Sequence, residues 1–140
     1  MNRTNIFDLR IASFNCYGLM NKLPVIGDMC KNVDILLLQE TWLLPMDLRI
    51  LDNLDDDFLA FSISSVNICE KFIGRPYGGL SFLWRKSLGN SCKIIDFDDK
   101  RILGLEVTSS ATELLLINVY LPYYSQENID EYMLGKSLQF

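Results

Sequence analysis

Histidine is missing from this 140-residue chain altogether. Without an imidazole there is no Ser-His-Asp or Cys-His nucleophilic pair, no histidine general base and no histidine-ligated metal. A metal would have to be held by oxygen, a donor set that favours magnesium, calcium or manganese over zinc. The four cysteines, Cys16, Cys30, Cys69 and Cys92, form no CxxC pair, so zinc ligation and a redox couple lack sequence support. Residues 1–10 carry Arg3, Asp8 and Arg10 and lack the apolar stretch of a cleaved secretory leader. The cysteines are therefore expected to be small, buried, reduced side chains of an intracellular protein. Long apolar runs are also lacking. Those at 35–38 and 114–117 fall far below the roughly 18 to 20 residues a bilayer crossing needs, so no membrane span is expected. Positive charge is scarce: 13 Lys and Arg stand against 18 Asp and Glu, for a formal charge of -5. That balance disfavours a broad basic surface for nucleic acid. It leaves a nuclease open, because a divalent cation supplies positive charge where the protein does not.

What is present is a core. With 49% hydrophobic and 22% charged residues spread along the length, the chain reads as a single domain without repeats, linkers or low-complexity tracts. Residues 9–15 read as a strand broken by Tyr17-Gly18. Leu23, Ile26, Met29, Cys30 and Val33 follow helical spacing over 21–33, with Asn21 as a candidate cap and Pro24 early enough to be tolerated. Residues 35–38 form a continuous apolar run typical of a strand buried on both faces. Strand, helix, strand predicts parallel neighbours whose carboxyl ends, at Asn15 and Glu40, emerge at one sheet edge. A weaker helical pattern covers 45–54, followed by a strand at 58–64, a loop at 66–77 and a glycine-opened strand through Leu80, Phe82 and Trp84. Runs at 92–97, 102–108 and 114–120 predict antiparallel hairpins, and 126–138 predicts a helix with Ile129, Tyr132 and Met133 on one face.

Three short pieces carry chemistry: Ser13-Phe14-Asn15, Leu38-Gln39-Glu40-Thr41-Trp42 and Asn118-Val119-Tyr120-Leu121-Pro122. In this order, with the lead-in from Val33 to Trp42 and the strand Gly78-Gly79-Leu80-Ser81-Phe82-Leu83-Trp84-Arg85-Lys86, they resemble the first three motifs of the endonuclease/exonuclease/phosphatase (DNase I-like) family. The surrounding wording is similar to the endonuclease domain of non-LTR retrotransposons. The resemblance covers nearly the whole chain and implies an α/β fold, the N-terminal half of a four-layer α/β/β/α sandwich with a mixed sheet and covering helices. It also implies that each half of the fold contributes one sheet.

Phosphodiester hydrolysis places a water in line with the leaving oxygen and neutralises the non-bridging oxygens. Under the resemblance Glu40 is the magnesium carboxylate, with manganese as second choice, Asn15 an amide donor to phosphate and Tyr120 a phenolic donor. Arg101 is the candidate phosphate contact. Each has a structural alternative: a solvated strand end for Glu40, a turn residue for Asn15, a core ring for Tyr120, a hydrated hairpin turn for Lys100 and Arg101. Residues 55–57, all aspartate, read as a solvated face.

The family's later Asp-x-Asn and Ser-Asp-His motifs do not occur in these 140 residues. The expectation is a partial domain, inactive alone, whose complete form acts on DNA and which another chain could complete. The alternative is a non-catalytic binding module. As part of a retrotransposon protein it would be nuclear.

Overall fold

Alternation decides which way each strand faces. In the computed structural model, which describes residues 8–67 and 76–121, the run at 35–38 becomes β2 (Ile35–Gln39). It is parallel to β1 (Ile11–Asn15) and antiparallel to β4 (Leu80–Arg85), which pairs in turn with β3 (Phe58–Ile63). The mixed sheet therefore has the order β1-β2-β4-β3. One face of β2 presents Leu36 and Leu38 to the helix α1 (Leu23–Cys30), where Ile26 and Cys30 are buried. The other presents Ile35 and Leu37 to a second sheet, so burial on both faces accounts for the unbroken apolar run.

The second sheet is the meander β5 (Cys92–Asp96), β6 (Ile102–Thr108) and β7 (Glu113–Val119), antiparallel throughout. Leu103, Leu105 and Val107 of β6 pack against Leu80, Phe82 and Trp84 of β4. This corrects the expectation of one sheet per half: the chain builds part of both sheets. The inward residues of β6 are leucine and valine and pack on the apolar inner face of β4, which fills the centre of the interface between the sheets. What projects among the described residues is the rim of the wider sheet, together with the outer face of β7, where Leu115, Ile117 and Val119 are 50%, 42% and 40% exposed. Ile11, Leu59 and Phe61 share a face with the buried inner residues yet stay 40%, 43% and 41% exposed.

Local departures from expectation have local causes. The helix is shorter than 21–33, because a 3₁₀ turn, Leu19–Lys22, precedes it. Asn21 lies inside that turn; Lys22 is the N-cap residue and makes no side-chain cap, while Pro24 sits in the first turn. At the other end the Arg85 guanidinium donates to the carbonyls of Cys30 and Val33 at 2.9 and 2.8 Å. Residues 45–54 form two 3₁₀ turns, Pro45–Asp47 and Ile50–Asn53, in place of an α-helix. Leu48, Leu51 and Leu54 are spaced by three, which aligns them on a helix of 3.0 residues per turn. The predicted helix at 126–138 lies outside the described residues, as does Cys69. Among the described residues no helix is long and apolar enough to cross a membrane.

Candidate active site at one sheet edge

The carboxyl ends of β1 and β2 and the start of β4 meet at one edge, and the backbone there is left-handed at six positions. Tyr17, Gly18, Glu40, Trp42, Gly78 and Gly79 all have φ between +46° and +93°. Glycine tolerates this; glutamate in that region costs roughly 1 to 2 kcal/mol and persists only where its surroundings enforce it. The enforcement is visible. The pairing of β1 and β2 runs on past the strand ends, with the Cys16, Gly18 and Leu19 N–H groups donating to the carbonyls of Gln39, Glu40 and Thr41 at 2.8, 3.0 and 3.0 Å. On the other side the Trp42 N–H donates to the Gly78 carbonyl at 2.9 Å. A side chain on Gly79 would run into the Thr41 hydroxyl, and one on Gly18 into the Trp42 ring, so both glycines are needed for close approach. Tyr17 meets Trp42 edge to face at 4.7 Å.

Asn15, Glu40 and Tyr120 line one cleft of about 510 Å³, with Ser13, Gln39 and Asn118 in the same wall. Asn15 also plays its alternative part, since its Oδ1 accepts the Tyr17 N–H at 3.2 Å; the amide N–H groups are its contribution to the cleft. Tyr120 is half-buried against the inter-sheet core, and its N–H donates to the Arg101 carbonyl at 3.0 Å. Arg101 stands apart: its guanidinium pairs with Asp99 at 3.3 Å and does not line the cleft. Lys100 is exposed. Among the described residues no three Asp, Glu, Cys or His side chains converge as a metal cage, so Glu40 is the cleft's lone carboxylate. Nor is there a thiolate. Burial pushes the Cys16 thiol up to about 12, with Lys22 pulling the other way and Glu40 adding to the rise.

The residues that sequence reasoning passed over are Gln39 and Asn118. Asn118 is fully buried; its Nδ2 donates to the carbonyls of Leu38 and Ser81, both at 2.9 Å. Gln39 Nε2 donates to Asn118 Oδ1 at 2.8 Å and to Ser13 Oγ at 2.9 Å. A signal existed: Leu114, Leu116 and Tyr120 face the core, and Asn118 is the polar residue in that period-2 series.

The sequence matches no family model and no curated protein. Solved structures do match. The AP endonuclease LMAP of Leishmania major aligns with a TM-score of 0.63 at 15% identity, covering 99% of this chain and 50% of that one. The APE2 catalytic domain of Xenopus laevis gives 0.63 at 16% identity, covering 91% and 50%. The endonuclease domain of TRAS1, a telomere-specific non-LTR retrotransposon, gives 0.52 at 13% identity, covering 94% and 55%. This is half of the DNase I-like fold. The chain spans about half the length of these structures, and the DNase I-like architecture explains why strand ends from three distant segments gather at one cleft.

The strain at Glu40 makes a prediction. In this DNase I-like half, Glu40→Gly is expected to stabilise the fold by about 1 kcal/mol in chemical denaturation, because glycine occupies left-handed backbone without penalty. A destabilised variant would show that the glutamate side chain, and not its backbone, dominates that position's contribution to stability.

Proposed function

We propose that the chain forms one side of a divalent-metal-dependent phosphodiester-hydrolysing site of the DNA endonuclease type. The observation that carries this reading is that Glu40, held in left-handed backbone, shares one cleft with Asn15 and Tyr120. The donor set suits magnesium or manganese: one carboxylate among neutral oxygens and amides, with no imidazole or thiolate, fits a cation that takes few protein ligands and keeps its waters. Glu40 would hold the ion, which when bound would neutralise charge on the phosphate. The Asn15 amide would donate to a non-bridging oxygen, and the Tyr120 hydroxyl would orient the same group. DNA is the substrate class favoured here, since the matched structures are named for AP endonuclease and retrotransposon endonuclease activities.

The family's later Asp-x-Asn and Ser-Asp-His motifs do not occur in these 140 residues, so turnover by the chain alone is not expected. Another polypeptide segment would complete the fold, and the protein would work inside the cell, in the nucleus if carried by a retrotransposon protein. A second reading, a non-catalytic binding module that keeps half of the fold, draws on the missing Asp-x-Asn and Ser-Asp-His motifs.

Manganese titration of the ¹⁵N-labelled chain tests the choice. Paramagnetic broadening is expected to centre on Asn15, Glu40 and Tyr120 and to vanish in Glu40→Gln. Broadening elsewhere, or none, would sink the catalytic reading and leave the binding module. Supercoiled plasmid with magnesium is expected to stay intact; nicking that survives Glu40→Ala would refute the site.

A further inference from the structure

Four polar side chains are buried among the described residues: Thr41, Ser62, Ser81 and Asn118. Ser62 and Ser81 bond each other across neighbouring strands of one sheet. Asn118 instead crosses from the second sheet to the first, reaching β2 and β4 through the Leu38 and Ser81 carbonyls and β2 again through Gln39. Gln39 carries the chain of bonds on to β1 at Ser13. Four strands are thus tied by one network of side-chain bonds between 2.8 and 2.9 Å.

Each member sits just before a residue of the proposed site. Ser13 precedes Asn15 by two on β1, Asn118 precedes Tyr120 by two, and Gln39 immediately precedes Glu40. A spacing of two keeps residues on one face of a strand, so Ser13 and Asn118 share the faces that carry Asn15 and Tyr120 to the cleft. Apolar packing between sheets is non-directional and does little to fix how one slides over the other. Hydrogen bonds have a preferred length and angle, and these lie at the end of the interface where the cleft opens.

We infer that Gln39 and Asn118, with Ser13, are positioning residues that set the register of the two sheets at the cleft and hold Glu40 in its left-handed conformation. The inference rests on the proposed site, but it concerns where the site residues are held and not what they react with. The backbone at Glu40 is strained and persists only where it is over-determined. The continued β1–β2 ladder and the Trp42 N–H on the Gly78 carbonyl restrain it through the backbone, and the anchored Gln39 side chain adds a restraint of its own. Outer partners of this kind commonly change metal affinity by about 10- to 100-fold when removed.

The test uses the 140-residue chain and three variants. Gln39→Met keeps length and loses both donated bonds; Ser13→Val loses the hydroxyl that Ser13→Thr keeps. Two readouts are taken by NMR: the amide-to-Hα coupling and Cα shift of Glu40, which report its backbone conformation, and the affinity for Mn²⁺. Gln39→Met is expected to move the Glu40 signals toward extended values and weaken Mn²⁺ about tenfold. Ser13→Val should move both in the same direction by less, and Ser13→Thr should restore wild-type values. A lowered melting temperature with unchanged Glu40 signals would make the network purely structural and overturn the inference. If the wild-type chain fails to bind Mn²⁺, the metal reading falls, and the Glu40 coupling in the variants still decides whether these residues position it.

Discussion

Phe82→Ala will destabilise the chain by about 4 kcal/mol, the usual loss for truncating a buried phenylalanine. Phe82 has no exposed surface and lies in the middle of β4, paired with Leu37 on one side and Phe61 on the other. The inner faces of both sheets meet around it, so a cavity there cannot close without drawing the sheets together. Against a total stability of about 5 to 15 kcal/mol for an ordinary domain, this is a large fraction, read as a lower urea midpoint. Phe61→Ala is the control. Its ring is 41% exposed on the same face and should cost well under half as much. Equal costs would mean that the inter-sheet core is not where the stability resides.

Asp34→Ala is expected to cost about 2 kcal/mol, between the values for an exposed and a buried ion pair. Asp34 lies just before β2, at the end of the sheet opposite the cleft. It accepts the Arg10 backbone N–H at 2.9 Å and pairs with Arg85 Nε at 3.2 Å, with the two side chains 17% and 23% exposed. Arg85 also caps α1 and lies over the Phe58 ring at 4.8 Å, so losing the carboxylate leaves a half-buried cation uncompensated. Arg49→Ala, which removes the pair with Asp52 from a 92% exposed side chain, should change stability by no more than about 0.5 kcal/mol.

The same carboxylate predicts an acid response. Burial alone would raise Asp34, but the backbone N–H and guanidinium of Arg10 and the guanidinium of Arg85 outweigh it and hold the group below the usual carboxylate range. Asp99 is lowered as well, chiefly by the side-chain hydrogen bonds of Arg101. A depressed folded-state value means that the stabilisation is complete above the unfolded carboxylate value of about 3.9. It is lost as pH falls through the lower folded value. Urea midpoints should therefore be level near neutrality and fall steeply below about pH 4. Asp34→Asn should flatten that fall, and an unchanged slope would remove Asp34 from the account.

The sequence makes β2 readable because burial on both faces demands four apolar residues in a row, and β6 because its ends are marked by turns. The meeting of Asn15 and Glu40 is legible from motifs that end strands, since parallel neighbours bring their carboxyl ends together, whereas Tyr120 joins them from the second, antiparallel sheet. The left-handed turn at Glu40 is not legible, because glutamate carries no local preference for it; glycines on facing segments and a continued backbone ladder impose it. Asn118 stands out as a polar residue in a core-facing series, which demands buried partners. Its partners are carbonyls on strands distant in sequence, which no local pattern reveals. Arg101 looked available because its preference for phosphate is generic, while Asp99 two residues earlier engages it.

Gln39 and Asn118 are 79 residues apart, whereas β5, β6 and β7 are joined through short turns. Closing long loops is slow because chain entropy is lost before the contacts form. Short turns favour early closure of the meander, and the bond that ties it beside Glu40 has the longer loop to close. That closure adds an inter-sheet tie to a Glu40 backbone that the continued β1–β2 ladder already restrains. The alignment of Asn15 and Glu40 on the first sheet with Tyr120 beside the second is thus complete only once both sheets have docked.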